Sequence, residues 1–361
     1  MRREIGSEFW TKCTSEVPEG GSGMRAAAFA GCSVTETLSG RTALELVVEQ
    51  LTAAGCKSVY MPSYCCHTMI EPFLAHGMEL AFYDVVWTSS GLHRLFDCTN
   101  SHEVVFLMDY FGFIDEETAM LAADQKMKGK RLVYDATHSM YSAYSADAYD
   151  YIIGSYRKWA DVNCGFMAVR GMAGEPNVAL RVADEESYCR LRTEIFDRKA
   201  DYISGRISDK SAFLDSIHEA EELLEQQYSH RGPDRRSLGV LEYADAGFVR
   251  RRRKENARFL TDALNALNHP DVRCMNAELS REAVPLFVPV YVSPEKRNDL
   301  RKYLIQHDIY CPIHWPLSEK HRISEQARKI YGSELSVICD QRYDSRDMER
   351  IVNEISTFLK V

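Results

Sequence analysis

Apolar and polar positions along the chain follow two rhythms, and the change comes near the middle. Between residues 41 and 170, short apolar runs alternate with amphipathic stretches. RTALELVVEQLTAAG (41–55) has apolar residues at helical spacing and a terminal glycine, which predicts a helix with a Gly stop. SVYMP (58–62) reads as a buried strand closed by Pro62, and CHTMIEPFLAHG (66–77) as a helix. LAFYDV (80–85) and VVFLMDYFG (104–112) read as strands, and EETAMLAADQKMKG (116–129) as a helix. RLVYDA (131–136), YDYIIGS (149–155) and CGFMAVR (164–170) complete the series as strands. Such alternation predicts an α/β domain whose mostly parallel sheet is flanked by helices.

From about residue 185 the pattern lengthens. Helices are predicted over 184–203, 213–228 and 247–267. VPLFVPVYV (284–292) reads as a strand, EKRNDLRKYLIQHDI (295–309) and SRDMERIVNEISTFLK (345–360) as helices, with Asp344 or Ser345 capping the last. This suits a smaller α+β domain. The first 35 residues, glycine-rich around PEGGSG (18–23), read as irregular. The expected division is an irregular segment 1–35, a large α/β domain 36–235 and a small C-terminal α+β domain 236–361.

Composition narrows the picture. With 45% hydrophobic residues in 361, the chain has enough apolar surface for such cores. A net charge of −9 gives no reason to expect nucleic acid as a partner. No run reaches the roughly 18 apolar residues of a membrane span. The opening MRREIGSEFW lacks an apolar signal core, so a cytoplasmic protein is expected. Eleven cysteines occur without metal-ligand spacing, which fits reduced, buried thiols and no metal site. The run RRRR (250–253) reads as a solvated helix face or subunit contact, and EAEELLEQQ (219–227) as the wet side of a helix.

The chemistry gathers after two successive strands. Ligands of parallel sheets collect beyond the carboxyl ends of strands. RLVYD ends at Asp135, with His138 three residues on; YIIGS ends at Ser155, with Lys158 three residues on. Adjacent strands would bring all four to one rim. These side chains suit pyridoxal 5'-phosphate (PLP). It needs a lysine amine to hold it covalently, a carboxylate to keep its pyridine nitrogen protonated, and hydroxyls or a helix N-terminus for its phosphate. Lys158, Asp135 and Ser155 supply these, and the turn Ser39-Gly40-Arg41-Thr42 supplies a helix N-terminus with its own arginine. His138 could bond the ring hydroxyl. Taken singly, each has a plainer reading: a surface lysine, a turn-capping aspartate, a packing histidine, a helix cap. SYRK also matches the Ser-x-x-Lys of penicillin-binding enzymes, but SDK at 208–210 is a poor S-D-N and there is no KTG.

From about residue 38 onward, the order of segments resembles the DegT-type aminotransferases, PLP enzymes of fold type I in the aspartate aminotransferase-like superfamily. LSGRTALELVV resembles their phosphate-binding segment. VYMPSYCCHTMIEPFLAHGMELAFYDV resembles the segment whose turn stacks on the cofactor ring. YDATHS resembles their Asp-x-Ala-Gln/His element, and SYRKWADVNCGF their lysine segment. RRKENARFL, YCPIHWP and DQRYDSRDM resemble landmarks of the small domain. The resemblance implies that Lys158 carries the cofactor and moves the proton, that Asp135 pairs with the ring nitrogen, and that His138 contacts the ring hydroxyl. It places Ser155, Gly40, Arg41 and Thr42 at the phosphate, Cys66 and Tyr64 by the ring, and His314, Arg157 and Tyr110 with the substrate.

The resemblance further implies a homodimer with sites between subunits. Its members mostly act on nucleotide-linked keto sugars, with glutamate as amino donor. Two departures are visible. The serine lies three residues before the lysine where many members have five, and Cys66 stands nearest the usually aromatic stacking position, with Tyr64 and His67 beside it. Elimination, dehydration and decarboxylation use the same fold, as does a non-catalytic scaffold. Amino-acid substrates call for an arginine clamp; Arg157 and Arg342 are candidates, with Arg342 better read as half of an ion pair. Burial of Lys158 beside Arg157 would favour its role as a base.

Overall fold

The computed structural model describes residues 4–11, 23–25, 31–88, 91–171, 180–183, 186–276 and 278–360. In chain order they form β1 (Ile5–Gly6), β2 (Cys32–Thr37), α1 (Gly40–Ala53), β3 (Ser58–Pro62), α2 (His67–Ala75), β4 (Glu79–Thr88), β5 (Gly91–Leu95), β6 (Val104–Met108), α3 (Glu116–Met127), β7 (Arg131–Asp135), β8 (Tyr151–Ser155) and β9 (Gly165–Arg170). The second half adds α4 (Ser187–Ser204), α5 (Ser211–Gln227), α6 (Arg235–Tyr243), α7 (Ala246–Ala266), β10 (Val272–Cys274), β11 (Phe287–Val292), α8 (Pro294–Gln306), β12 (Ile309–Tyr310), α9 (Glu325–Ser333), β13 (Glu334–Ile338) and α10 (Ser345–Leu359).

Eight strands form one sheet in the order β2-β9-β8-β7-β6-β3-β4-β5. The central pairs β4–β3, β3–β6, β6–β7 and β7–β8 are parallel; β8–β9, β9–β2 and β4–β5 are antiparallel. This is the expected α/β architecture with a mostly parallel mixed sheet. Helix α1 packs on β8 and β9, and α3 on β6 and β7. The fully apolar strands VVFLM and LVY are buried throughout because helices cover them. A second core surrounds the antiparallel sheet β10-β11-β13 with α7, α8 and α10, and a third joins α4 and α5. Asp344 caps α10 in a capping box with Asp347, which settles the choice between Asp344 and Ser345.

The segment read as irregular is ordered at both ends. Ile5 and Gly6 pair in parallel with Ile309 and Tyr310, and Cys32–Thr37 is the edge strand β2 along β9. Glu4 forms a buried ion pair with Lys199, and the Gly6 N–H donates to the Tyr343 hydroxyl at 2.8 Å. Most of PEGGSG lies outside the described residues. Helix α6, helix α9 and strand β13 were not expected from the pattern. The arginine run is divided: Arg250 and Arg251 are exposed, but Arg253 is buried, 4.5 Å from the Trp159 ring, and donates to Gln341, Pro285 and Leu286. One member of the expected solvated face is therefore a core residue. The described cysteines are free thiols, six of them buried. No helix among the described residues is long and apolar enough to cross a membrane.

The start of α1 sits directly on the ends of β8 and β9. A Cβ on Gly165 would lie 2.4 Å from the Ser39 carbonyl carbon and 2.6 Å from the Gly40 nitrogen. Neither neighbour is a flexible side chain, so the backbone itself would have to move. Gly165→Ala is expected to destabilise the fold by about 1–3 kcal/mol, the usual cost of overpacking, read as a lower urea midpoint at unchanged slope.

Candidate active site

The register of β7 and β8 pairs Asp135 with Ile153, so both strands release their chain at one rim. After Asp135, the chain turns on its own carboxylate: Asp135 Oδ1 accepts the Thr137 N–H at 2.8 Å, and the Ala136 N–H donates to the Ile153 carbonyl. That turn brings His138 back over the strand. After Ser155, a single 3-10 turn (Tyr156–Lys158) carries the lysine. It is clamped on both sides. The Tyr156 N–H donates to the Cys164 carbonyl, the Trp159 indole N–H to the Thr137 carbonyl at 2.8 Å, and Gln341 to the Trp159 carbonyl at 2.6 Å.

These turns line a cavity of about 770 Å³ bounded by both halves of the chain. Gly40, Arg41, Cys66, Asp135, His138, Ser155, Arg157, Lys158 and His314 all face it. The first turn of α1 points at it, with Ser39 capping the helix by accepting the Thr42 N–H. Ser7, Glu8 and Phe9 close one wall.

Charge in the cavity is unevenly compensated. Asp135 is buried, and burial raises its pKa against the two stabilising bonds from Thr137. It has no cationic partner among the described residues. Lys158 is exposed at the mouth and has no hydrogen-bond or ion-pair partner among the described residues. The expected burial of this lysine is not found in a single chain. Arg157 is paired across the cavity wall with Glu221 at 2.5 Å, which pulls that carboxyl down to about 2. Arg342 pairs with Asp340 at 2.7 Å and also donates to the Glu8 carbonyl, as an ion-pair residue should.

The two histidines are buried and neutral. Burial, then the Lys158 charge, pushes His138 down to about 3. Burial, then His138 and Lys158, holds His314 well below its ordinary value. His138 Nδ1 accepts the Phe111 N–H at 3.2 Å, which leaves its proton on Nε2, and its ring stacks on Trp315. His314 stands edge-on to it with centroids 5.4 Å apart.

Three expected residues stay outside the cavity. Thr42 gives its hydroxyl to the Tyr228 carbonyl at 2.9 Å. Tyr64 is fully buried, donates to the His314 carbonyl and packs among Tyr110, Trp315 and Tyr331. Tyr110 donates to the Tyr64 carbonyl at 2.8 Å. Of the ring-stacking candidates, Cys66 and His67 line the cavity. Two lining or supporting residues were missed. Arg301 lines the cavity with Nε donating to the Cys311 carbonyl and no ion-pair partner among the described residues. Glu334 lies behind His314. Its signal was a Glu-x-Ser pair on one face of a strand that is buried at every position. No group of His, Cys, Asp and Glu side chains suited to a metal ion occurs among the described residues.

No protein-family model matches the sequence, and no curated protein matches it significantly. Solved structures do match. PseC of Helicobacter pylori, an aminotransferase involved in pseudoaminic acid biosynthesis, is 11% identical over 100% of this chain and 99% of its own, with a TM-score of 0.63. DesI, solved in the presence of its TDP-sugar product, is 15% identical over 98% of this chain and 86% of its own, with a TM-score of 0.62. NtdA of Bacillus subtilis, solved with bound cofactor PMP, is 13% identical over 91% of this chain and 73% of its own, with a TM-score of 0.62. The chain therefore has the aminotransferase fold of type I.

Placement of Tyr64 is testable. Removing its hydroxyl leaves the buried His314 carbonyl without that donor, which costs about 1–3 kcal/mol. Tyr64→Phe is expected to lose that much in chemical denaturation. An unchanged urea midpoint would instead show that the phenol does not support the fold there.

Proposed function

We propose that the chain is a PLP-dependent aminotransferase of the DegT type, acting on a nucleotide-linked keto sugar with glutamate as amino donor. One observation carries the reading: Asp135, a buried carboxylate without a cationic partner, faces a cavity shared with the unpartnered amine of Lys158 and the N-terminal turn of α1. A buried carboxylate left without a counter-charge is costly. A protonated ring nitrogen would supply that charge. The fit extends to the anionic end, where Ser155 and the backbone at Ser39 and Gly40 form a small, close-packed cradle at a positive helix end. PLP, when bound, supplies an electron sink for the carbon that exchanges its amino group.

The protein's own residues do the rest. Lys158 holds the cofactor through Nζ and, once released, moves a proton at that atom. Asp135 keeps the ring nitrogen protonated, and its lack of any cationic partner leaves it free to do so. His138 presents an Nε2–H to an oxygen of the ring. Cys66 would stand beside the ring, while Arg157, paired with Glu221, and His314 would border the substrate. Arg301 gives the cavity a cationic group suited to a phosphate-bearing substrate, while Arg41, 3.8 Å from Glu225, would serve the cofactor's phosphate. The structural neighbour DesI, solved with a TDP-sugar product, supports that substrate class. The exposure of Lys158 in one chain supports a homodimer in which a second copy covers the mouth. We also read the protein as cytoplasmic, with the domain division 1–35, 36–235 and 236–361.

The test is an absorption spectrum of the purified protein with PLP, then with L-glutamate. The band of lysine-bound cofactor should appear and then bleach to the pyridoxamine form. Lys158→Ala should remove the band while leaving the circular dichroism unchanged, and Asp135→Asn should keep the band but slow its bleaching. A band that persists with glutamate would point to another donor or to a lyase. No band in folded protein with excess PLP would overturn the reading.

A further inference from the structure

His314 is not only near the cavity; it is wired away from it. Its backbone N–H donates to Glu334 Oε2 at 2.7 Å, and its carbonyl accepts from Tyr64. Its ring Nδ1 lies 2.8 Å from the Ser336 hydroxyl, which in turn bonds Glu334 Oε1. Glu334 and Ser336 are two apart on β13, so both side chains leave the same face of the strand. All three residues are buried, and His314 alone of them lines the cavity. His138 has no such chain: its Nδ1 is occupied by a backbone N–H, which cannot take up a proton.

We propose that Glu334, Ser336 and His314 form a proton relay that lets His314 accept a proton from the cavity without becoming charged. With Glu334 ionised, the carboxylate can only accept, so Ser336 donates to it and its Oγ accepts from His314 Nδ1–H. That leaves a bare Nε2 as the remaining ring acceptor. An amino donor enters as an ammonium and must lose a proton before its nitrogen can attack. One N–H bond of that ammonium breaks and His314 Nε2–H forms. The Nδ1 proton passes to Ser336 Oγ, and the serine's own proton passes to Glu334 Oε1. The imidazole ends neutral with its tautomer reversed, the serine is unchanged, and the proton rests on the buried carboxyl.

The energetics favour this division of labour. An imidazolium is disfavoured at His314 by burial, by the neighbouring His138 ring and by the Lys158 charge. A base so placed works only if it can hand its second proton on. Burial pushes Glu334 up to about 8, opposed by its bonds from Ser336 and His314 and by the Arg297 charge, so it can hold that proton near neutral pH. The other ionisable groups facing the carboxyl are the Tyr64 phenol and the Cys311 thiol, both raised by burial and staying neutral in this range. The use of the relay in amino transfer rests on the proposed function; the relay itself does not.

The experiment is a long-range ¹H–¹⁵N correlation on the full chain labelled with [¹⁵N]histidine, titrated from about pH 6 to about pH 10. The His314 signals are assigned by their loss in His314→Gln. His314 should stay neutral throughout and change from the Nε2–H to the Nδ1–H tautomer as pH rises through the titration of Glu334. Glu334→Gln should hold one tautomer over the whole range, as should Ser336→Ala, which breaks the chain without touching the carboxyl and carries the test should the first variant not fold. A single tautomer in the parent, an imidazolium at His314, or a switch that survives in either variant would overturn the relay. Because no PLP band enters this measurement, a failed relay and a failed aminotransferase reading are told apart.

Discussion

Parallel pairing of β7 with β8 is the constraint on which the site depends. The two strands run together with Asp135 opposite Ile153, and the turns that follow them leave from the same edge. Each turn then has its own local cause: a carboxylate that bonds the backbone two residues on, and a 3-10 turn clamped by Trp159 and Gln341. The first turn of α1 completes the rim because Gly165 leaves room for its backbone. No loop has to be held in a strained shape for Asp135, Ser155 and Lys158 to meet; the sheet's direction does most of it.

Burial decides how charge is used inside this rim. Arginines of the cavity are mostly spent on carboxylates, as Arg157 is on Glu221 and Arg342 on Asp340. The histidines are kept neutral, so they can offer directed N–H and N groups but no standing charge. Among the described residues, Asp135 and Lys158 are left uncompensated, as is Arg301. Arg253 makes the supporting layer, over the Trp159 ring and bonded to the Pro285 and Leu286 carbonyls just before β11.

Much of the fold was readable because its helices are long and periodic and its central strands are apolar runs. Helix α1 and the strands RLVYD and YIIGS were found within a residue or two, and with them Asp135 and Lys158. What escaped was short or contradictory. Helix α6 buries only Ser237 and Leu241, too little for a periodic signal. Strand β13 carries Glu334 and Ser336 in a place where five buried residues would normally be apolar. GLHRL hides Arg94, which is buried against Asp109 and Asp115. For Tyr64, Tyr110 and Thr42, residue type gave the right neighbourhood but not the direction of the hydroxyl, which in each case is taken by a backbone carbonyl.

The wall formed by Ser7, Glu8 and Phe9 has a consequence for how the molecule is made. The strand beside it, β1, docks on β12, and its Gly6 N–H is held by Tyr343, 337 positions later in the chain. A ribosome delivers β1 about 300 residues before its partners. During most of synthesis the large sheet can assemble while β1 has nothing to pair with, and contacts so distant in sequence form slowly. Enclosure of the cavity by this wall therefore waits for β12 and Tyr343. Until those residues have emerged, a nascent chain carries an open half-site.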